Sequence, residues 1–228
     1  MDQNHQIYQL LGDHWLTAVV SKNDLLELLT KTTLVTYRKR ETIVKRGEFS
    51  HHLVFLLNGY VKLEIEEGRR DFIIDIDSGM KFLGLPLTLT IDKHLFSIVT
   101  LTDAKVVFIP VSDILELMKK NSKLTSEIIK CGNESFVTPM LEKLTSSAQN
   151  NIRGRLAKLL LHLSTKVHKS NNFALLISRL EISHMIGFSR ENVIRVLAEF
   201  NAEGILQISG KSIEILAPER LEEITRYS

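Results

Sequence analysis

The spacing of hydrophobic and polar positions changes period twice along the chain. Residues 6–30 read as short helices with polar breaks at Gly12–Asp13 and Ser21–Asp24. From 33 to 109 the pattern becomes an alternation. In "YVKLEIEE" Val61, Leu63 and Ile65 face one way and Lys62, Glu64 and Glu66 the other, which predicts a half-buried strand with its charges outward. "LVFLL", "DFIIDI", "SIVT" and "KVVFIP" are further strand-like runs, and Gly47, Gly59, Gly68 and Gly79 punctuate them. Short strands with regular turn signals predict an antiparallel barrel or roll.

The helical period returns from about 111 to 165. After "VSDILELMKKN", a long segment carries Leu124, Ile128, Ile129, Phe136, Val137, Met140, Leu141 and Leu144 at loose spacings of three and four. A long helix with such a stripe between two domains pairs with a copy of itself, or else packs on its own barrel. The pairing reading makes Ile128, Phe136, Val137, Met140, Leu141 and Leu144 candidate dimerisation residues. Pro139 removes one backbone bond from this helix, at a cost of ~3 kcal/mol. It predicts a kink or break at 137–139, with Thr138 able to cap a fresh helix that starts at Pro139.

The last segment is compact. "IRGRLAKLLLHLSTKV" is an amphipathic helix and "FALLI" a short strand. Helices at 178–186 and 189–203 follow, and "ILQISGKSIEIL" reads as a hairpin with Gly210–Lys211 at its tip. Ser178 and Glu181 fit a capping box. Gly187 ends the first helix, and only Phe188 separates it from Ser189, the next cap. Two short helices joined this tightly form a helix-turn-helix.

On the second helix, Val193, Val196, Leu197 and Phe200 make one apolar stripe. The other side presents Ser189, Arg190, Glu191, Asn192, Ile194 and Arg195. Arginine matches O6 and N7 of guanine, a carboxylate accepts from N4 of cytosine, and Ile194 suits a thymine methyl. That end of such a helix enters the major groove. A cation at Arg190 opposes the helix dipole, which makes sense if the end meets phosphate and guanine. The competing reading is a solvated face with a Glu191–Arg195 pair. Ser178 and Lys211 join the candidate DNA contacts, Lys211 through phosphate.

Composition narrows the class. The chain has 228 residues with a formal net charge of +2, and the small basic excess lies after residue 150. The single cysteine, Cys131, excludes an internal disulfide and a cysteine-ligated metal cluster. Neither a signal peptide nor an apolar run long enough for a membrane span is visible, so the cytosol is expected. No nucleophile with a neighbouring base and no metal-ligand spacing suggests an enzyme.

The stretch "ISRLEISHMIGFSRENVIRVLAEFNAEGILQISGKSIEIL", with "VKRGEFSHHLVFLLNGYVKL" and "GMKFLGLPL", resembles the Crp/Fnr family of bacterial transcription regulators over nearly the whole chain. The resemblance implies an α+β fold: an N-terminal antiparallel β-roll (jelly roll) of the cyclic-nucleotide-binding type over 1–121, a long dimerisation helix over 122–149, and a C-terminal winged helix-turn-helix over 150–228. It also implies a homodimer on double-stranded DNA, with RNA polymerase as a partner and no membrane. Arg190, Glu191 and Arg195 match the pattern R-E-x-x-x-R. In the cyclic-AMP receptor protein's relatives that pattern reads a G, a C opposite a G, and another G, which implies two-fold sites with TGTGA-like or TTGA-like half-sites. Ile194 stands where the best-known members have glycine or serine.

The effector end departs from that pattern. Cyclic-nucleotide binders carry a Glu that holds the ribose where this chain has Leu85 in Gly84-Leu85-Pro86. Where they carry an Arg for the phosphate, His94 or Leu95 stands in "KHLFS". A neutral His cannot replace a guanidinium fork on an anion. These departures argue against cyclic AMP, and the effector stays unidentified. His5, His14, His51, His52 and His94 leave open a haem-binding or redox- and nitrosative-stress-responsive member. A β-roll alone would also suit a ligand-binding regulatory module of a larger assembly.

Overall fold

A computed structural model describes residues 3–67, 70–141 and 151–226. Its contacts divide the chain into two units, residues 1–61 with 77–141 and residues 62–76 with 142–228.

The first unit opens with helices α1 (Gln3–Leu11), α2 (Trp15–Val19) and α3 (Lys22–Thr30). The predicted polar breaks separate these helices; Ser21 of the second is the cap of α3, while α2 is capped by His14, just after Gly12–Asp13. His14 Nδ1 accepts from the Leu16 amide at 3.3 Å, and Ser21 Oγ accepts from that of Asp24 at 3.2 Å. Eight strands follow in the chain: β1 (Thr33–Tyr37), β2 (Thr42–Val44), β3 (His52–Asn58), β4 (Tyr60–Glu67), β5 (Arg70–Ser78), β6 (Lys81–Leu83), β7 (Ser97–Thr100) and β8 (Ala104–Pro110), of which residues 62–76, in β4 and β5, belong by their contacts to the second unit. They form two four-stranded sheets, β1-β8-β3-β6 and β2-β7-β4-β5, whose described pairings are antiparallel. Strand β3 is buried from Leu53 to Leu57, on both faces. One of its faces is covered by Ile7, Leu25 and Leu28 from the N-terminal helices and by Ile114, Leu124 and Ile128 from α4 (Val111–Lys120) and α5 (Ser122–Gly132). Phe55 and Phe82 meet edge-on in this core, with ring centroids 4.8 Å apart.

Three expectations need correction. Val61 and Leu63 are buried as expected, but Glu64 is only 6% exposed, while Ile65 is half-buried. Lys62 and Glu64 stand two residues apart, on one strand face, and their charges lie 2.6 Å from each other. That face is covered, and a carboxylate is tolerated there because an ammonium accompanies it.

The second correction concerns Pro139. The chain does not restart at Thr138, whose φ of −61° and ψ of −50° are helical. A π-helical turn, Asn133–Val137, continues α5, and the helix runs on through 141. A wider turn of this kind re-routes the backbone bonds that a proline disturbs.

The third concerns the stripe. Ile128 is 1% exposed and belongs to the core with Leu124, so it is no surface for a second copy. Ile129, Val137, Met140 and Leu141 are the exposed apolar residues of this segment, and Phe136 is half-buried. A helix turns by about 100° per residue, so the loose three-and-four spacing here covers two faces. Leu144 lies outside the described residues.

In the second unit, α6 (Ile152–His162) runs into a π-helical turn at Leu163–His168. Strand β9 (Asn172–Ala174), α7 (Arg179–Ile186), α8 (Arg190–Ala202), β10 (Leu206–Ser209), β11 (Ser212–Ile215) and α9 (Pro218–Arg226) follow. The small antiparallel sheet has the order β10-β11-β9. Leu156, Leu160, Ile182, Val193, Val196, Phe200, Ile213 and Leu221 are all fully or almost fully buried, a separate core for this unit. No helix among the described residues is long and apolar enough to cross a membrane.

Candidate nucleic-acid interface

The local sequence builds α7 and α8 tightly. Ser178 Oγ accepts from the Glu181 amide at 3.1 Å, and Glu181 Oε2 accepts from the Ser178 amide at 2.8 Å, which closes the predicted capping box. Gly187 takes φ +74°, a conformation that costs other residues about 1–2 kcal/mol. Its amide and that of Phe188 both donate to the Ser183 carbonyl oxygen, at 2.9 and 3.1 Å. Ser189 Oγ then accepts from the Asn192 amide at 3.2 Å and starts α8.

Helix α8 presents the two faces the sequence predicts. Val193, Val196, Leu197 and Phe200 are buried. Arg190, Glu191 and Arg195 are exposed, Ile194 is 45% exposed, and Asn192 is half-buried. Arg195 does not pair with Glu191, one turn before it. It pairs with Glu199, one turn after it, through Nη1 and Oε1 at 2.5 Å. Lys211 is exposed in the turn between β10 and β11, and its carbonyl oxygen accepts from the Leu175 amide at 2.8 Å.

Three arginines that the sequence reading passed over hold this arrangement. Arg155 of α6 donates from Nη1 to the Ile186 carbonyl oxygen at 3.0 Å and stacks over Phe188 at 5.3 Å. It therefore braces the turn from behind. Arg153 bonds both Glu199 (2.9 Å) and Glu203 (2.7 Å) and lies over Phe200 at 4.8 Å. The Glu203 carboxylate raises its pKa further, against a smaller loss from burial. Arg179 donates to the Gly210 carbonyl oxygen at 3.3 Å, tying α7 to the β10–β11 turn. All three could be suspected only as basic residues in a helix. Their partners lie about 30 to 50 residues away in sequence.

Two family models match the chain. Residues 154–224 match the Crp-like helix-turn-helix domain, and residues 34–121 the cyclic nucleotide-binding domain. The chain belongs to the Crp/Fnr family of transcription regulators. Among relatives, it is 23% identical over 206 residues to the CRP-like cAMP-activated global transcriptional regulator of Mycobacterium tuberculosis, covering 84% of this chain and 88% of that protein. It is 27% identical to the transcriptional regulatory protein btr of Bordetella pertussis over 128 residues, 54% of this chain and 52% of that protein. The solved structure of FixK2 from Bradyrhizobium japonicum shares the fold with a TM-score of 0.77, at 20% identity over 85% of this chain and 96% of that one. Together these make the chain a Crp/Fnr-type transcriptional regulator with a DNA-binding helix-turn-helix.

Around residues 84–86 the chain packs closely on its own residues. Leu85 is 1% exposed. Gly84 has φ +80°, and a Cβ there would meet the Phe96 ring at 3.2 Å. Pro86 sits against Gly132 of α5, where a Cβ would lie 3.1 Å from it. Phe96 also stacks on Phe136, with centroids 6.3 Å apart. His94 bonds the 47–48 turn through its backbone, its amide donating to the Glu48 carbonyl oxygen at 2.9 Å. Burial lowers its pKa, against a smaller opposing pull from Glu48, which favours the neutral ring. Leu95 is 46% exposed. Of the other histidines, His5, His51 and His52 are exposed, and His14 caps α2.

Proposed function

We propose that the protein is a homodimer that reads a two-fold DNA site through α8, with half-sites one helical turn apart. The observation that carries this is the exposed row of Arg190, Glu191, Ile194 and Arg195, directly opposite the stripe that docks α8 on its own core. Two cations and a carboxylate at the N-terminal end of such a helix suit guanine and cytosine edges, and Ile194 suits a thymine methyl. Lys211 would act on phosphate, and Ser178, Ser189 and Asn192 complete the candidate DNA contacts. The second copy would cover Val137, Met140 and Leu141, which are exposed here. The working division is an effector-type β-roll over 1–121, a dimer helix over 122–149 and a DNA-binding unit over 150–228. The protein acts in the cytosol, with RNA polymerase as a partner.

The residues at the effector end do not suit cyclic AMP. Leu85 offers no carboxylate for a ribose, Phe96 fills the space over Gly84, and His94 supplies no fixed cation for a phosphate. An effector of other, unidentified chemistry controls the protein in this reading, and a haem-binding or redox- and nitrosative-stress-responsive member is the alternative.

Selection of bound duplexes from random DNA tests the reading, with sedimentation of the free protein alongside. The expected result is a palindrome with G·C pairs facing Arg190, Glu191 and Arg195, bound by a dimer. Absence of any shared sequence, or a strictly monomeric protein, would overturn it. Cyclic AMP should leave the melting temperature unchanged, because a ligand shifts stability only if it binds the native state.

A further inference from the structure

Among the described residues, Glu199 is the acidic side chain that ties the DNA-reading face of α8 to the body of its unit. Its Oε1 accepts from Arg195 Nη1 at 2.5 Å, and its Oε2 accepts from Arg153 Nη1 at 2.9 Å. Arg153 is itself fixed, since Nη2 grips both oxygens of Glu203 at 2.9 and 2.7 Å and its guanidinium lies over the buried Phe200 ring. The chain of contacts therefore runs from α6, through Arg153 and Glu199, to the tip of an arginine that is otherwise 58% exposed.

We infer that Glu199 is the residue that sets how strictly Arg195 demands guanine; this rests on the DNA-reading role proposed above. The physical reason has two parts. A free exposed arginine samples many rotamers and can slip to a phosphate or to another acceptor, because its stem carries about 2 kcal/mol of rotamer entropy. With Nη1 held by an anchored carboxylate, its stem is confined while donors remain for O6 and N7 of guanine, as the guanidinium has five N–H groups in a fixed fork. The second part is repulsion. A carboxylate beside the arginine opposes approach to a phosphate and so weakens sequence-independent binding, which is electrostatic. Both parts favour the guanine complex over its competitors. Arg153 positions Glu199 and touches no base, so its own loss should be felt first as stability.

The test measures the binding of full-length protein to its selected duplex and to the three other base pairs at one position. That position is the one whose preference Arg195→Ala erases. Glu199→Gln keeps the shape and removes the charge, Glu199→Ala removes the whole carboxylate arm, and Arg153→Met removes the tie to α6 together with the Glu203 pair and the guanidinium over Phe200. The expected result is that both Glu199 variants lose roughly fivefold or more of the guanine preference per half-site, with unchanged or tighter binding to non-specific duplex. Arg153→Met should melt at lower temperature and lose a smaller share of the guanine preference than either Glu199 variant, because the carboxylate stays beside Arg195 but is no longer anchored. An unchanged preference in Glu199→Gln would overturn the inference. So would a loss spread evenly over all positions of the site, or an equal loss in Arg153→Met, since either marks a packing defect. A wild-type protein that selects no sequence at all would instead defeat the DNA-reading role itself.

Discussion

Ser178 and Glu181 satisfy each other's backbone amides at the start of α7, and the remaining Glu181 oxygen accepts from Lys62 Nζ at 3.0 Å. Burial alone would raise the Glu181 pKa, but the Ser178 amide and Lys62 outweigh it and hold it below the usual carboxylate range. A group whose folded pKa is depressed stabilises the fold above its unfolded value, about 4.3 for Glu, and that stabilisation fades as pH falls through the folded pKa. Acidification below pH ~4.5 should therefore loosen the helix-turn-helix. In Glu181→Gln the slope of stability against pH over that window should flatten, as followed by denaturant midpoints between pH 3 and 6.

Arg195→Ala should cost ~1–3 kcal/mol of DNA affinity per half-site and relax the preference at one base pair. Gel-shift titration against a panel of single-base variants checks this. A uniform loss over the whole panel would remove Arg195 from base reading.

Lys211 stands exposed in the turn between β10 and β11. Lys211→Ala should weaken binding to every sequence alike and reduce the salt slope by about 1 for each phosphate that the lysine neutralises. Titrations at several salt concentrations measure both effects.

Leu141 is 58% exposed and Ile128 is 1% exposed, although both belong to the same apolar pattern. Leu141→Asp should give a folded protein that sediments as a monomer. Ile128→Asp should unfold the first unit, because a carboxylate placed in that core has no partner. Circular dichroism with sedimentation separates the two outcomes.

Gly187→Ala should destabilise the second unit by about 1–2 kcal/mol through its positive φ. The added Cβ would also meet Arg155 Nη1 at 3.3 Å, so the brace on the Ile186 carbonyl must shift. Thermal melting and DNA binding should fall together.

Much of the reading end was legible in the order of residues, because it is local. The box Ser178–Glu181, the turn at Gly187–Phe188, the cap at Ser189 and the two faces of α8 all depend on spacings of seven residues or fewer. At that range backbone geometry dictates which atoms meet. The same reasoning misjudged Glu64 and Ile128. Alternation says which residues share a face, not whether that face is covered, and here one is covered and paired with Lys62. Likewise the three-and-four spacing of α5 marks apolar residues without dividing those that serve the core from those left exposed.

By itself, then, the sequence determined the order of elements, the separate β-roll and helix-turn-helix, and the identity of the side chains on the outer face of α8. Tertiary structure alone decided that Arg195 answers to Glu199 and not to Glu191, that Arg153 and Arg155 support α8 and the turn before it from α6, and that Phe96 and Pro86 fill the space at Gly84 and Gly132. Each of those contacts except the first joins residues ten or more apart in sequence. The first sets two carboxylates at equal spacing against each other. Glu199 is anchored by a distant arginine, and spacing along one helix carries no trace of that contact.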